Sequence, residues 1–226
     1  MSLQLRPTKH QLADLKRIAE LGTDRLVEVR ESLQQLEKPT LAPHELLAVV
    51  EKLLSGDAER LVRQLLSFQG LVRQTGRTVD EVISGVRSAI ERQGADVGLD
   101  ATEWANVEDA IKELVQEKNV RLAATAIELA YDYTNLLRRM KILTDIRPLF
   151  NETADQIEGA VVSYTLRLHY NSSDGEHELS IAVDEGDIRM LIGQCHRAIQ
   201  KAATARSLMA EKCGIAVTVS GQSDDA

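Results

Sequence analysis

Residues 159–192 constrain the fold of this chain most strongly, because their apolar and polar residues alternate at the period of a β-strand. Nearly everything before this stretch has the 3.6-residue periodicity of amphipathic helices instead. The alternation begins at Ala160, and the polar segment NSSDG at 171–175 divides it into two runs. Two alternating runs on either side of a turn sequence predict a β-hairpin.

One face of the predicted hairpin is apolar and the other is mildly polar. The alternation assigns to the apolar face Val162, Tyr164, Leu166 and Leu168 of the first strand and Leu179, Ile181 and Val183 of the second. In this register His169 and His177 lie on opposite faces, which argues against a shared metal ion. The same parity of paired positions can place Arg167 opposite Glu178, where the two can form a cross-strand ion pair.

A further strand is predicted before the hairpin and a long helix after it. The segment KILTDIRPLF at 141–150 combines β-branched residues with Pro148, which a helix interior does not tolerate, and Ile146 is its contribution to the sheet core. After the hairpin, Asp184 is predicted to cap the helix. Its apolar stripe begins with Ile188, Leu191 and Ile192. We expect this helix to lie on the apolar face of the hairpin.

The region before the first strand is predicted to be a helical bundle. Apolar stripes with helical spacing, separated by Gly, Pro and capping residues, predict six or seven antiparallel helices in the first 138 or so residues. The fold class is therefore α+β. The predicted domains are a helical bundle at 1–140, a β-β-β-α domain at 141–220 and a disordered tail at 221–226. Within 215–220, IAVTVS is left open as a short fourth strand or an ordered tail.

Composition narrows the possible functions. The net charge of −8 and an aromatic content of 3% disfavour nucleic acid as a partner. The sequence has no apolar run of the roughly 20 residues needed to cross a bilayer, so no membrane insertion is expected. Two cysteines without a CxxC pair fit a cytoplasmic protein with free thiols, and Cys195 is expected to be buried. Since no phosphate-binding loop or GxSxG motif is found, we expect neither catalysis nor a cofactor nor a bound metal.

The order of helical bundle, strand, hairpin and helix resembles that of the COMM-domain proteins, adaptor subunits of the Commander assembly. LTDIRPLF is similar to the family's acidic-aromatic-arginine strand, with Asp145 and Arg147 in place and Ile146 where a tryptophan is usual. The proline common before the second strand of the family is missing. The resemblance covers the predicted β-β-β-α region, while the helices before it match only in kind.

The resemblance implies a non-enzymatic adaptor that pairs through its sheet, either as a homodimer or as a hetero-oligomer with related subunits. An independent reason is that a three-stranded sheet roofed by one helix leaves edges and one face uncovered. This second face carries the small residues Val161, Ser163, Thr165, Ser180 and Ala182, which cost little to desolvate, so we expect a second copy to pair with it. The alternative for this face is that it packs on the helical bundle. The residues expected to form the sheet core and its assembly are Ile146, Val162, Tyr164, Leu166, Leu168, Leu179, Ile181, Val183, Ile188, Leu191 and Ile192. The alternative is a sensor that holds a small molecule between bundle and sheet, near Tyr131, Tyr133 and Tyr164.

Overall fold

The computed structural model describes residues 4–221, which divide into two compact units. The first, called the bundle unit, comprises the residues up to Ala130 and those from Met209 onward, and the second, called the sheet unit, is Tyr131–Leu208. The described residues form seven α-helices and one three-stranded antiparallel sheet, so the predicted α+β class is confirmed. Within the predicted tail at 221–226, the residues after Gly221 lie outside the described part of the chain.

Six α-helices and one 3₁₀ turn build the bundle unit. They are α1 Lys9–Gln34, α2 Pro43–Glu51, α3 Ala58–Thr75, α4 Val79–Gln93, the 3₁₀ turn Gly94–Val97, α5 Ala101–Gln116 and α6 Lys118–Tyr131. The last of these ends at Tyr131, earlier than the predicted helical limit near residue 138, and Leu137 lies in a strand.

Local sequence signals explain where these helices begin and bend. Thr8 and Thr78 each form the predicted capping box, in which the threonine hydroxyl accepts a hydrogen bond from a backbone N–H of the first turn. Gly22 interrupts α1 with φ 78° and ψ 164°, a conformation that other residues rarely adopt. Gly94 is required for a different reason, since a Cβ there would lie 2.2 Å from the carbonyl oxygen of Leu99.

A continuous apolar core holds the bundle unit together. Its largest fully buried side chains are Trp104, Leu12, Ile18, Leu26, Leu33, Leu46, Leu61, Leu65, Ile83, Ile90, Leu99 and Ile111. These come from all of α1 to α5, and most of them lie on the apolar stripes that the helical periodicity predicts. The bundle unit therefore has a complete interior of its own.

The few charged groups inside the bundle unit are paired. The Glu108 carboxylate forms ion pairs with Lys112, at 3.0 Å, and with Arg87, at 2.5 Å. The hydrogen bond to Glu108 raises the pKa of Lys112 above its usual value. A buried carboxylate with two cationic partners has its charge compensated, so this cluster is explained by the stability of the fold.

The sheet unit contains the strands β1 Leu136–Phe150, β2 Ile157–Ser172 and β3 Gly175–Val183, in that spatial order. Both pairings are antiparallel, and β2 is the central strand. β1 begins before the predicted strand at 141–150 and includes Pro148, which the edge position of this strand tolerates because no partner needs its missing N–H. The register shifts between Leu137 and Arg139, so Arg138 is the extra residue of a β-bulge.

The helix α7, Glu185–Cys213, follows β3 directly. Asp184 caps it as predicted: its carboxylate accepts from the backbone N–H of Asp187 at 2.8 Å, and the Asp187 carboxylate accepts from the N–H of Asp184 at 3.1 Å. No residue of α7 is buried, so the expected packing of this helix on the apolar face of the hairpin is absent from the single chain. The segment 215–220 forms no strand.

Candidate protein interaction surface

The strand register divides the residues of the sheet unit between two faces. The apolar face consists of Met140, Ile142 and Ile146 of β1, Val162, Tyr164, Leu166 and Leu168 of β2, and Leu179, Ile181 and Val183 of β3. The polar face consists of Arg139, Lys141, Leu143, Asp145 and Arg147 of β1, Val161, Ser163, Thr165, Arg167 and His169 of β2, and Glu178, Ser180 and Ala182 of β3. The eight strand residues proposed from the sequence thus lie together on the apolar face.

The apolar face is open in the single chain. Among the described residues of the sheet unit, Leu166 is the only buried hydrophobic side chain, with 8% of its surface exposed. Its neighbours Val162, Leu179 and Ile181 are exposed, and Ile146 is 71% exposed. A large apolar patch on a folded surface often marks an interaction site, because contact of its side chains with water is unfavourable and a partner removes that contact.

The helix α7 presents a second open apolar surface. Of the three residues expected to clamp the sheet, Ile188 is half-buried, while Leu191 and Ile192 are exposed. The stripe continues along the helix through Cys195, Ile199, Ala202 and Met209. The prediction that Cys195 is buried is wrong for the single chain, since its thiol is free and exposed. Sheet and helix therefore each carry an apolar surface that one chain leaves uncovered.

Two residues of the apolar face were missed by the sequence analysis. Met140 and Ile142 pair with Leu168 and Leu166 and are both exposed. Met140 belongs to the segment LLRRMK, whose two adjacent arginines hide the strand alternation because one of them is the bulged Arg138. The even-numbered spacing of Met140, Ile142 and Ile146 was the signal that could have placed both residues on the apolar face.

The polar face contains a cluster of cations with few acidic partners. Arg167 binds Glu178 with a nitrogen–oxygen distance of 3.1 Å, and His169 lies 3.7 Å from the same carboxylate. The predicted ion pair of Arg167 and Glu178 is present, but the predicted register is wrong: Arg167 lies opposite Ser180 and contacts Glu178 diagonally. His169 and His177 lie on opposite faces, as the register argument requires.

The hairpin turn between β2 and β3 closes through side-chain hydrogen bonds. Asp174 accepts from the Ser172 hydroxyl, and one of its oxygens lies 2.9 Å from Nε2 of His177. These two contacts, the one from Ser172 first, lower the pKa of Asp174 below its usual value. The His177 ring stacks on Tyr170, with ring centroids 5.3 Å apart. These contacts fix the turn and hence the register of the apolar face.

Cavities in the bundle unit do not involve the residues proposed for a ligand sensor. A polar cavity of about 440 Å³ lies beside Arg30, Glu113 and Lys118, and a smaller one of about 190 Å³ lies beside Leu15 and Phe68. Tyr131 and Tyr133 are exposed and Tyr164 is half-buried on the apolar face, and none of the three lines either cavity. The sensor hypothesis stays a prediction.

A metal-binding cluster and a membrane-spanning helix are both absent from residues 4–221. This part of the chain contains no group of three or more His, Cys, Asp or Glu side chains arranged to hold a metal ion. None of its helices combines the length and apolar character that spanning a bilayer demands.

Comparison of the chain with protein-family models and with curated proteins gives no match. Function is therefore inferred from the surface chemistry of the two units.

Proposed function

We propose that this chain is a non-enzymatic adaptor that forms a homodimer through the apolar face of its sheet unit. This face replaces the mildly polar face expected from the sequence, because no residue of α7 is buried and the helix leaves the apolar face uncovered. The observation that supports the proposal most directly is the sheet unit's interior, which contains a single buried hydrophobic side chain, Leu166. A three-stranded sheet needs a packed face to be stable in water. Because the sheet unit itself supplies no such cover, its apolar face needs a partner surface.

A second copy of the chain is the partner that fits best. A helix with an apolar stripe is the usual cover for an apolar sheet face, and each chain carries both elements unpartnered. With α7 lying on the apolar face of the other copy, two identical contacts form around a two-fold axis. A related subunit with the same two elements fits for the same reason, and the resemblance to COMM-domain proteins implies this kind of pairing.

The dimensions of the two elements support this exchange. The 29 residues of α7 extend about 43 Å at the rise of an α-helix. The 15 residues of β1 extend about 50 Å at the rise of a strand. The stripe from Ile188 to Met209 extends about 32 Å at this rise, roughly two thirds of the length of β1. Burying one fully exposed large apolar side chain contributes about 1.5–3 kcal/mol, so several half-exposed ones suffice for stable pairing.

The adaptor role follows from the contrast with the bundle unit. That unit has a complete core and needs no partner in order to fold, so we assign to it the recruitment of a second protein.

The free, exposed thiols of Cys195 and Cys213 suit a reducing compartment, and we propose a cytoplasmic location on this ground.

Two adjacent valines of β2 provide a matched test of the dimer. Val161 is 48% exposed on the polar face, and Val162 is 51% exposed on the apolar face. We expect Val162→Asp to convert the dimer to a monomer, because it would bury a carboxylate in an apolar interface. Val161→Asp should leave the dimer intact. Size-exclusion chromatography with light scattering measures the mass of both variants and of the natural chain.

Circular dichroism must show that both variants keep their helices, because an unfolded Val162→Asp would also lose the dimer. The milder Val162→Ser, compared with Val161→Ser, serves as a second pair and should weaken dimerisation without abolishing it. A natural chain that is already monomeric, or a Val162→Asp variant that folds and remains dimeric, would contradict the proposed interface.

A further inference from the structure

The strand β1 leaves one of its edges unpaired. It occupies an outer position in the sheet order, and its 15 residues pair with β2 on one side alone. An edge of this length presents a row of free backbone N–H and C=O groups, which natural proteins usually cover or interrupt. Its single proline, Pro148, lies near one end and leaves the rest able to accept another strand.

The same strand carries four cations without partners. Arg139, Lys141 and Arg147 lie on the polar face, and the bulged Arg138 lines a shallow cavity of about 250 Å³ together with His169 and Glu178. Among the described residues, none of these four side chains forms an ion pair or a side-chain hydrogen bond. Asp145 is the one acidic residue of β1.

The pairing with β2 intensifies this positive charge. Lys141 lies directly opposite Arg167. Like charges directly opposite each other on neighbouring strands destabilise a sheet. Glu178 is shared between Arg167 and His169, so it leaves the cations of β1 uncompensated. An acidic group beside Arg139 and Lys141 would relieve the repulsion.

We propose that the free edge of β1 binds an extended acidic segment of another protein, which adds to the sheet as a fourth strand. Backbone hydrogen bonds along the edge would supply the affinity. The side chains of the bound segment, which alternate between the two faces of the sheet, would supply the specificity. Acidic residues of the segment lie next to Arg139, Lys141 and Arg147. The residues between them are apolar and extend the apolar face beside Met140 and Ile142.

Other partners fit this edge less well. A second β1 strand would set four unpaired cations against four more. Nucleic acid usually requires aromatic side chains for base stacking, and the polar face contains no Phe, Tyr or Trp. The proposed dimer uses the apolar face, so the edge of β1 and the polar face stay accessible to a further protein in either oligomeric state.

The test uses the full chain and a short fluorescein-labelled peptide in which Glu and Val alternate. Fluorescence anisotropy should show saturable binding to the natural chain. The same peptide N-methylated at every second residue keeps its charge and loses the hydrogen bonds of a β-strand, so its binding should be lost. Arg139→Glu with Lys141→Glu should weaken binding of the unmethylated peptide at least about tenfold, because two attractive pairs become repulsive.

The matched control is Lys38→Glu with Lys52→Glu, which makes the same change of charge at exposed positions of the bundle unit. It should leave the affinity unchanged. The neutral double variant Arg139→Gln with Lys141→Gln should give an intermediate loss of affinity. It keeps the test informative if the charge-reversed variant Arg139→Glu with Lys141→Glu misfolds, and circular dichroism checks the folding of both. Equal binding of the N-methylated peptide, an equal loss in the control, or tighter binding of a single-stranded oligonucleotide than of the peptide overturns the proposal.

Discussion

The bundle unit and the sheet unit differ in how much of their apolar surface one chain can bury. In the bundle unit, apolar stripes of α1 to α5 meet around Trp104 and form a continuous interior. In the sheet unit, an equally regular apolar face surrounds Leu166, and no other element of that unit covers it. The difference indicates that periodic hydrophobicity specifies which surface must be buried, and does not specify whether the same molecule buries it.

This contrast separates two kinds of stability. The bundle unit is stabilised by contacts within one chain, so its free energy of unfolding should be independent of protein concentration. The sheet unit, if a second copy completes it, should become more stable as the concentration rises, because association favours the folded state by mass action. Perturbations of the two units should therefore differ in kind as well as in size.

The largest effect is expected from Trp104→Ala in the bundle unit. Trp104 is 0% exposed, and replacing a buried aromatic residue by alanine costs about 3–5 kcal/mol through lost contacts and the cavity that remains. We expect the free energy of unfolding of the bundle unit to fall by this amount at every protein concentration. Chemical denaturation followed by circular dichroism measures it, since the variant has no tryptophan left to report by fluorescence.

The comparison variant is Ile146→Ala, which truncates an exposed residue of the apolar face. It should leave the unfolding of the bundle unit unchanged and weaken dimerisation. If Trp104→Ala dissociates the dimer while the bundle unit stays folded, or if Ile146→Ala destabilises the bundle unit, the two units are not independent in the way described.

A smaller pair of effects is expected from the two helix caps. Removing the cap of α4 by Thr78→Ala, or that of α7 by Asp184→Ala, costs about 1 kcal/mol of helix stability. Thr78→Ala should lower the stability of the bundle unit alone. Asp184→Ala should also weaken the dimer by up to roughly thirtyfold, the equivalent of about 2 kcal/mol, because both copies lose the cap and each α7 forms part of the proposed interface.

Sedimentation equilibrium gives the dissociation constants, and hydrogen exchange reports on the two helices separately. A dimer affinity that Asp184→Ala leaves untouched would place α7 outside the interface, while an affinity reduced by Thr78→Ala would extend the interface to the bundle unit.

Local periodicity was sufficient for most of the fold. The alternation around Leu166, the capping box at Thr78 and the interruption at Gly22 each depend on neighbours in sequence, and each was found where the pattern predicted it. The opposite placement of His169 and His177 follows from the same register. Short-range sterics and hydrogen bonding determine these features.

Longer-range features could not be read from the sequence. The start of β1 was missed because the bulge at Arg138 breaks the alternation, and a bulge depends on pairing with β2. The apolar stripe of α7, which includes Cys195, predicted burial, but no residue of this helix is buried in the single chain. Periodicity contains no information about which molecule provides the cover.

The most direct test follows the mass of the natural chain and the hydrogen exchange of β2 over the same dilution series. The account predicts a species of twice 25.0 kDa, and amides around Leu166 that lose protection at the concentration where the dimer dissociates, while the amides of α5 around Trp104 stay protected. A species of 25.0 kDa whose β2 amides remain as protected as those of α5 would contradict it.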